Sequence, residues 1–102
     1  MFLIEILLPL RNGQGRPVDK QELEGLMNLL TEKFGGLTAF TRAPAQGFWK
    51  DDFRELALDE IVIFEINSDI LDKTWWKNLR LDLERRLQQK LIVIRAHTVE
   101  QL

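Results

Sequence analysis

The sequence contains no cysteine, no tyrosine and a single histidine, His97. The absence of cysteine excludes a disulfide framework, a thiol nucleophile and every metal site built on thiolates. One histidine with scattered carboxylates does not supply the clustered ligands that a metal site needs. No nucleotide-binding motif is present either. We therefore expect neither a metal nor a cofactor.

The chain also lacks an excess of positive charge and a long apolar run. Its net charge is −2, whereas a domain devoted to nucleic-acid binding normally carries a clear basic excess. The apolar stretch at residues 2–10 is interrupted by Glu5 and is far shorter than the roughly 20 residues that cross a bilayer. It lacks the basic segment and cleavage site of a secretory signal. A cytoplasmic location is therefore expected.

The length of 102 residues matches one independently folding unit with one hydrophobic core. Neither a composition shift nor an internal repeat marks a second domain, so residues 1–102 are interpreted as a single domain. Apolar or β-branched runs bounded by turn-forming residues predict four strands, at residues 2–10, 37–42, 60–66 and 91–97. The sequence leaves the course of residues 43–58 open.

Two amphipathic stretches predict helices. The first begins after Asp19, with Glu22 placed to complete a capping box, and ends at Gly35 and Gly36. The second begins after Asp72 and extends to about residue 90. The order βαββαβ predicts an α+β fold of the ferredoxin-like class. In that class a four-stranded antiparallel sheet, with strands one and three in its middle, carries both helices on one face.

The other face of this sheet is expected to be unusually apolar. Alternation along the strands leaves hydrophobic side chains on the side without helices: Leu3, Leu7, Ile61, Ile63, Leu91 and Val93. Such a patch exceeds what soluble monomers usually expose. We therefore predict a homodimer that packs sheet to sheet through this face.

Four titratable residues fall in the same alternation class: Glu5, Glu65, Arg95 and His97. One interpretation is a pocket between sheet and partner, where burial raises the carboxyl pKa values and the histidine transfers protons. The other is a set of interface salt bridges in which Arg95 satisfies the carboxylates. We prefer the second interpretation. Structural ion pairs shift pKa values just as catalytic sites do, so a cluster of titratable residues does not by itself indicate catalysis.

The segment from Phe34 to Phe40, FGGLTAF, is followed by Gly47-Phe48-Trp49. This pattern resembles a group of small bacterial proteins of unknown function that share an FGG(L/V)TA start to strand two and a later Gly-x-Trp. The resemblance implies kinship and no activity. In this segment Arg42, Gln46 and Trp49 are candidates to clamp a small ligand, with the guanidinium binding a carboxylate or phosphate. Alternatively, Trp49 packs against the sheet edge or a neighbouring subunit.

The second helix is locally basic. Six of its residues carry positive charge: Lys73, Lys77, Arg80, Arg85, Arg86 and Lys90. Nucleic-acid binding through this helix is an alternative, but Asp82 and Glu84 interrupt the basic stripe and favour an ordinary solvated face.

Three functions remain open on the sequence. The first is a dimeric module that binds a small molecule or a partner protein through the open sheet face and the loop after strand two. The second is a cofactor-independent enzyme, similar to the small monooxygenases or isomerases of the dimeric α+β barrel type, with His97 or Glu65 as base. The third is a nucleic-acid accessory protein. We prefer the first, because it requires no motif that the sequence lacks.

Overall fold

The computed structural model describes residues 1–50 and 56–102, and for residues 41–50 and 56–60 it describes the backbone course alone. The elements are β1 (Phe2–Pro9), α1 (Lys20–Phe34), β2 (Thr38–Lys50), β3 (Leu56–Ser68), α2 (Lys73–Arg86) and β4 (Val93–Thr98). The strands form one antiparallel sheet in the order β2-β3-β1-β4. This confirms the predicted ferredoxin-like α+β fold, with strands one and three in the middle.

The core lies between one face of the sheet and both helices. Alternate residues of β1 (Ile4, Ile6, Leu8) are fully buried, as are Val62, Phe64 and Ile66 of β3. The helices add residues spaced three or four apart, namely Leu26 and Leu30 of α1 and Trp76, Leu79 and Leu83 of α2. Burying one such side chain contributes about 1.5–3 kcal/mol. Both helices pack against this face, so neither described helix covers the opposite face.

Helix α1 begins and ends at the predicted residues. Asp19 is the N-cap, and its Oδ1 accepts a hydrogen bond from the backbone N–H of Gln21 at 3.0 Å. Gly35 ends the helix with φ 81°, which favours glycine, and its N–H donates to the carbonyl of Thr31 at 2.8 Å. The predicted capping box is wrong in the role that it gives to Glu22. The Glu22 carboxylate contacts the guanidinium of Arg86 on α2 and therefore ties the two helices together.

Helix α2 ends at Arg86, so its predicted extension to about residue 90 is wrong. Gln88 adopts φ 54° and turns the chain away from the helix axis. The loop after β1 fixes this turn from outside. The N–H of Gly13 donates to the carbonyl of Leu87 at 3.2 Å, and the Gln89 side-chain amide donates to the carbonyl of Arg11 at 2.9 Å. A contact between residues so distant in sequence is not visible in a local pattern.

The hairpin of β2 and β3 is longer than predicted. The connection expected after Arg42 lies within β2, where the pairing register shifts between Phe40 and Ala45. Pro44 falls in this shift, and proline has no N–H to donate to a sheet ladder. The part of the uncertain segment at residues 51–55 lies outside the described residues. Strand β4 begins two residues later than predicted, at Val93, and the backbone N–H of the preceding Ile92 donates to the Glu84 carboxylate at 2.9 Å.

Replacing Gly13 by alanine is predicted to destabilise the protein. A Cβ atom at this position would lie 1.8 Å from the carbonyl oxygen of Gln88, so the loop after β1 or the end of α2 must shift. We expect the free energy of unfolding, measured by urea denaturation, to fall by about 1–3 kcal/mol.

Gly25→Ala is the matched control, because a Cβ at this helical position meets no atom within 4 Å. Alanine in a helix interior is more favourable than glycine by roughly 0.5–1 kcal/mol, so this variant should gain stability. Equal stabilities for Gly13→Ala and the wild type would contradict the close packing of the two loops.

Asp82 is predicted to stabilise the protein in a pH-dependent way. Its carboxylate accepts hydrogen bonds from Arg86 at 2.9 Å and from Arg85 at 2.6 Å, and these lower the pKa of Asp82 below its usual value of 3.8. A carboxyl whose pKa is lower in the folded state stabilises the fold above the unfolded pKa and loses that effect as pH falls through the folded pKa. Asp82→Asn should therefore lower the free energy of unfolding at pH 7 by up to about 1 kcal/mol, since the pair is partly exposed.

Urea denaturation at about pH 7 and about pH 3 measures this effect. The difference between wild type and Asp82→Asn should shrink at the lower pH. Asp69→Asn removes the same charge from an exposed turn, where Asp69 has no ion pair among the described residues, and should leave stability nearly unchanged. A difference for Asp82→Asn that is the same at both pH values would rule out the ion pairs as its cause.

Candidate functional site

The helix-free face carries an apolar row that crosses all four strands. Strand pairing sets Phe40 opposite Ile63, Ile63 opposite Leu7, and Leu7 opposite Val93. Phe40 remains 46% exposed and Val93 37%, while Leu7 and Ile63 are half-buried. We call these four residues the apolar row. Four neighbouring hydrophobic side chains that no described helix covers form a continuous surface suited to contact with another molecule.

The next row along the strands is polar. It consists of Thr38, Glu65, Glu5 and Arg95, which face one another in consecutive pairs. His97 lies opposite Leu3, two residues further along β4. The structure therefore brings Glu5, Glu65, Arg95 and His97 together on one face, as the alternation pattern predicted. Whether they form a ligand site stays a prediction.

Glu5 is the centre of this polar cluster. Its Oε1 lies 3.3 Å from Nε of Arg95 and 3.6 Å from Nε2 of His97. The Glu5 side chain is only 13% exposed, whereas those of Arg95 and His97 are 57% and 55% exposed. The carboxylate thus lies close to the sheet, and both nitrogen-bearing side chains lie above it, accessible to a second molecule.

Glu65 differs from Glu5 in having no ion-pair partner within the described part of the chain. It lies directly opposite Glu5 on the neighbouring strand, and like charges in such a pair are unfavourable. A cation or hydrogen-bond donor from another molecule would relieve this repulsion. Glu65 is therefore the member of the cluster with the greatest unused capacity for binding.

Arg42 and Trp49, the remaining predicted ligand-binding residues, lie in β2. Trp49 pairs with Ala57 of β3, and Arg42 lies where the register shifts. Their side chains are outside the described residues, so the proposed clamp stays a prediction. Leu91, which the sequence places on the open face, precedes β4 and is 66% exposed.

Two features of the surface were not foreseen. The sequence pattern did not show that Phe40 completes the apolar row, because that conclusion requires the register between β2 and β3. Nor did it show a cleft of about 250 Å³ beside α2, on the helix side of the sheet. Seven residues line it: Ile4, Leu71, Lys73, Trp76, Lys77, Arg80 and Ile94. The only indication of this cleft in the sequence was the spacing of Lys73, Lys77 and Arg80, which places them on one side of α2.

Three of the six basic residues of the second helix region, all of them arginines, are paired with neighbouring acids. Arg80 pairs with Glu84 at 3.0 Å, and Arg85 and Arg86 both pair with Asp82. Lys73, Lys77 and Lys90 have no ion pair among the residues described here. This distribution gives a nucleic-acid backbone fewer free cations than the sequence count suggests.

Among the side chains that the structure describes, no group of three His, Asp or Glu residues is placed to hold a metal ion. Neither described helix combines the length and the apolar composition that crossing a membrane requires.

The backbone is similar to those of solved structures with very different sequences. One is a phage SAM lyase in complex with S-methyl-5'-thioadenosine. The match covers 94% of this chain and 79% of the lyase chain, with a TM-score of 0.64 and 13% sequence identity. Another is a mutant of CutA1 from Pyrococcus horikoshii OT3. The match covers 100% of this chain and 86% of the CutA1 chain, with a TM-score of 0.60 and 12% sequence identity. The likeness is one of fold.

No protein-family model and no curated protein matches this sequence. The comparisons therefore support the ferredoxin-like fold and do not bear on the resemblance of the FGGLTAF segment to small bacterial proteins.

Proposed function

We propose that the chain is a small homodimeric binding module whose two copies pack through the open faces of their sheets. The observation that supports this proposal is the apolar row of Phe40, Ile63, Leu7 and Val93, which extends over the full width of the sheet. A sheet face of this kind is normally packed against a second layer. A second copy supplies that layer with the same hydrophobic surface.

Charge complementarity favours a second copy as the occupant. The acidic residues of the polar cluster lie on β1 and β3, while Arg95 and His97 lie on β4. A two-fold axis along β1, between the two sheets, sets β3 of each copy over β4 of the other. Glu65 then faces Arg95 of the second copy, which provides a cation that Glu65 does not have among the described side chains of its own chain. In the same arrangement Val93 meets Ile63.

The ligand is proposed to bind at the edge of this interface, where Glu5, Glu65, Arg95 and His97 lie. Arg42 and Trp49 are proposed to complete the site from β2. The exposed guanidinium of Arg95 suits a carboxylate or phosphate. A partner protein with an acidic segment would use the same groups.

The enzyme alternative, with His97 or Glu65 as a base, receives less support. It requires an enclosed pocket around the polar cluster, whereas the cleft beside α2 is lined by none of its four residues. Glu5 accepts a hydrogen bond from Arg95 at 3.3 Å, as in a structural ion pair, and its Oε1 lies 3.6 Å from Nε2 of His97. The ion pair of Glu5 with Arg95 supports a binding role for the cluster more than a catalytic one.

Light scattering of the wild type at micromolar concentration should give about twice the chain mass of 12.0 kDa. Val93→Glu places a charge in the proposed interface, where Val93 meets Ile63 of the second copy, and should give a monomer, because an unpaired charge in an apolar interface is costly. Leu81→Glu is the control, since Leu81 is 48% exposed on α2 and lies outside the open face. A monomeric wild type would contradict the proposed pairing.

Thermal-shift measurements against a library of carboxylate and phosphate metabolites test the binding function. A ligand at one hundred times its dissociation constant adds about 2.7 kcal/mol of stability. Arg95→Gln should abolish the shift, whereas Arg16→Gln, in the exposed turn after β1, should retain it. A shift that survives Arg95→Gln would place the ligand elsewhere.

A further inference from the structure

The cleft beside α2 has an apolar floor. Ile4 and Ile94 form its sheet side, while Leu71 and Trp76 line the side of α2. Ile4 is fully buried and Trp76 is 5% exposed, so the accessible part of the floor comes mainly from Leu71 and Ile94, which are half-buried. Ile4 and Ile94 alternate with Glu5 and Arg95, which places the cleft on the opposite side of the sheet from the polar cluster. The cleft is therefore independent of the proposed dimer interface.

The same cleft has a basic rim. Lys73, Lys77 and Arg80 lie four and three residues apart on α2 and so share one side of the helix. Lys73 and Lys77 have exposed side chains, and neither has an ion pair in the part of the chain that the structure describes. Their ammonium groups are consequently free to bind an anion.

Two acids lie close to this rim, and both are engaged. Glu84 pairs with Arg80 at 3.0 Å and also accepts the N–H of Ile92 at 2.9 Å, which fixes the Arg80 side chain. The Asp72 carboxylate accepts the N–H of Trp75 at 3.1 Å as the N-cap of α2. Three cations against these two acids leave a positive balance. The rim therefore favours a negatively charged ligand.

We infer that this cleft binds a small organic anion that has an apolar body and one carboxylate or phosphate group. The floor favours burial of hydrocarbon or an aromatic ring, and the lysines favour the anionic group. The volume of about 250 Å³ lies below the range of roughly 300–1,000 Å³ for pockets that take drug-sized ligands. The ligand is accordingly a small one.

A nucleic acid fits these observations less well. Its backbone requires cations along an extended surface, whereas Arg85 and Arg86 beyond the cleft are paired with Asp82. A polyanion also gains nothing from a concave apolar floor. The combination of floor and rim suits a ligand in which one charge adjoins one apolar group.

Calorimetric titration of the full chain with 4-phenylbutyrate and with phenyl phosphate tests this inference. At least one of the two probes should bind, and which of them binds more tightly distinguishes a carboxylate ligand from a phosphate ligand. Inorganic phosphate and 4-phenylbutanol carry the charge alone and the apolar body alone. Both should bind about tenfold or more weakly, since one charge-assisted hydrogen bond or one buried ring is worth at least this factor.

Lys73→Gln combined with Lys77→Gln should weaken binding of the effective probe about tenfold or more. Lys20→Gln combined with Lys90→Gln removes the same charge from positions outside the cleft and should leave the affinity unchanged. NMR chemical shifts should change at the Trp76 indole N–H and at Ile94, and not at Glu5 or Arg95. These readouts do not depend on whether the protein dimerises.

The inference is overturned if neither probe binds at millimolar concentration, or if inorganic phosphate or the alcohol binds as tightly as the organic anions. Equal losses in the two double-lysine variants would show a non-specific charge effect and would also overturn it. Shift changes confined to the open face would assign the probes to the other site. Salt-sensitive binding of a DNA or RNA oligonucleotide that the Lys73 and Lys77 substitutions abolish, without binding of either probe, would identify a nucleic-acid surface instead.

Discussion

Two helices can cover only one face of a four-stranded sheet, and this limit governs the surface chemistry of the protein. The covered face is conventional, with Ile4, Ile6 and Leu8 of β1 fully buried beneath α1 and α2. The uncovered face has the apolar row at its centre and the polar cluster beside it. Because burial of apolar surface is the main driving force of association, this face favours contact with another molecule.

In the proposed dimer, the polar cluster would give the open face its specificity. Hydrophobic residues alone would favour many partners, whereas the ion pair of Glu5 with Arg95 would restrict which charges can approach. Glu65 adds a carboxylate without an intrachain partner among the described residues. The cleft beside α2 combines an apolar floor with a basic rim and lies on the helix side. One small domain thus offers two surfaces of different chemistry, which the sheet separates.

Most of the fold follows from local patterns. Strand alternation predicted the buried residues of β1 and β3, and Asp19 and Gly35 predicted the ends of α1, because caps and alternation depend on neighbouring residues. The end of α2 was missed because Gly13, far away in sequence, packs against Gln88. The length of β2 was missed because Pro44 and Gly47 normally indicate a loop, while pairing with β3 keeps this segment in a strand.

The candidate site was predictable only in part. Alternation was sufficient to place Glu5, Glu65, Arg95 and His97 on one face, since all four belong to strands whose order follows from the fold. The contribution of Phe40 depended on the exact hairpin register, which the sequence does not specify. The cleft beside α2 depended on how far α2 lies from β4, a packing distance that no residue pattern encodes. Binding surfaces formed between elements are therefore harder to predict than faces of single elements.

In the proposed dimer, a second copy shields the open face in solution. Relaxation of methyl protons by a soluble paramagnetic agent measures this shielding directly at Leu7 and Ile63, with the exposed methyls of Leu29 and Leu81 as internal references. We expect Leu7 and Ile63 to relax markedly more slowly in the wild type than in Val93→Glu, while the references do not change. Equal relaxation of Leu7 and Ile63 in both proteins would contradict the proposed dimer.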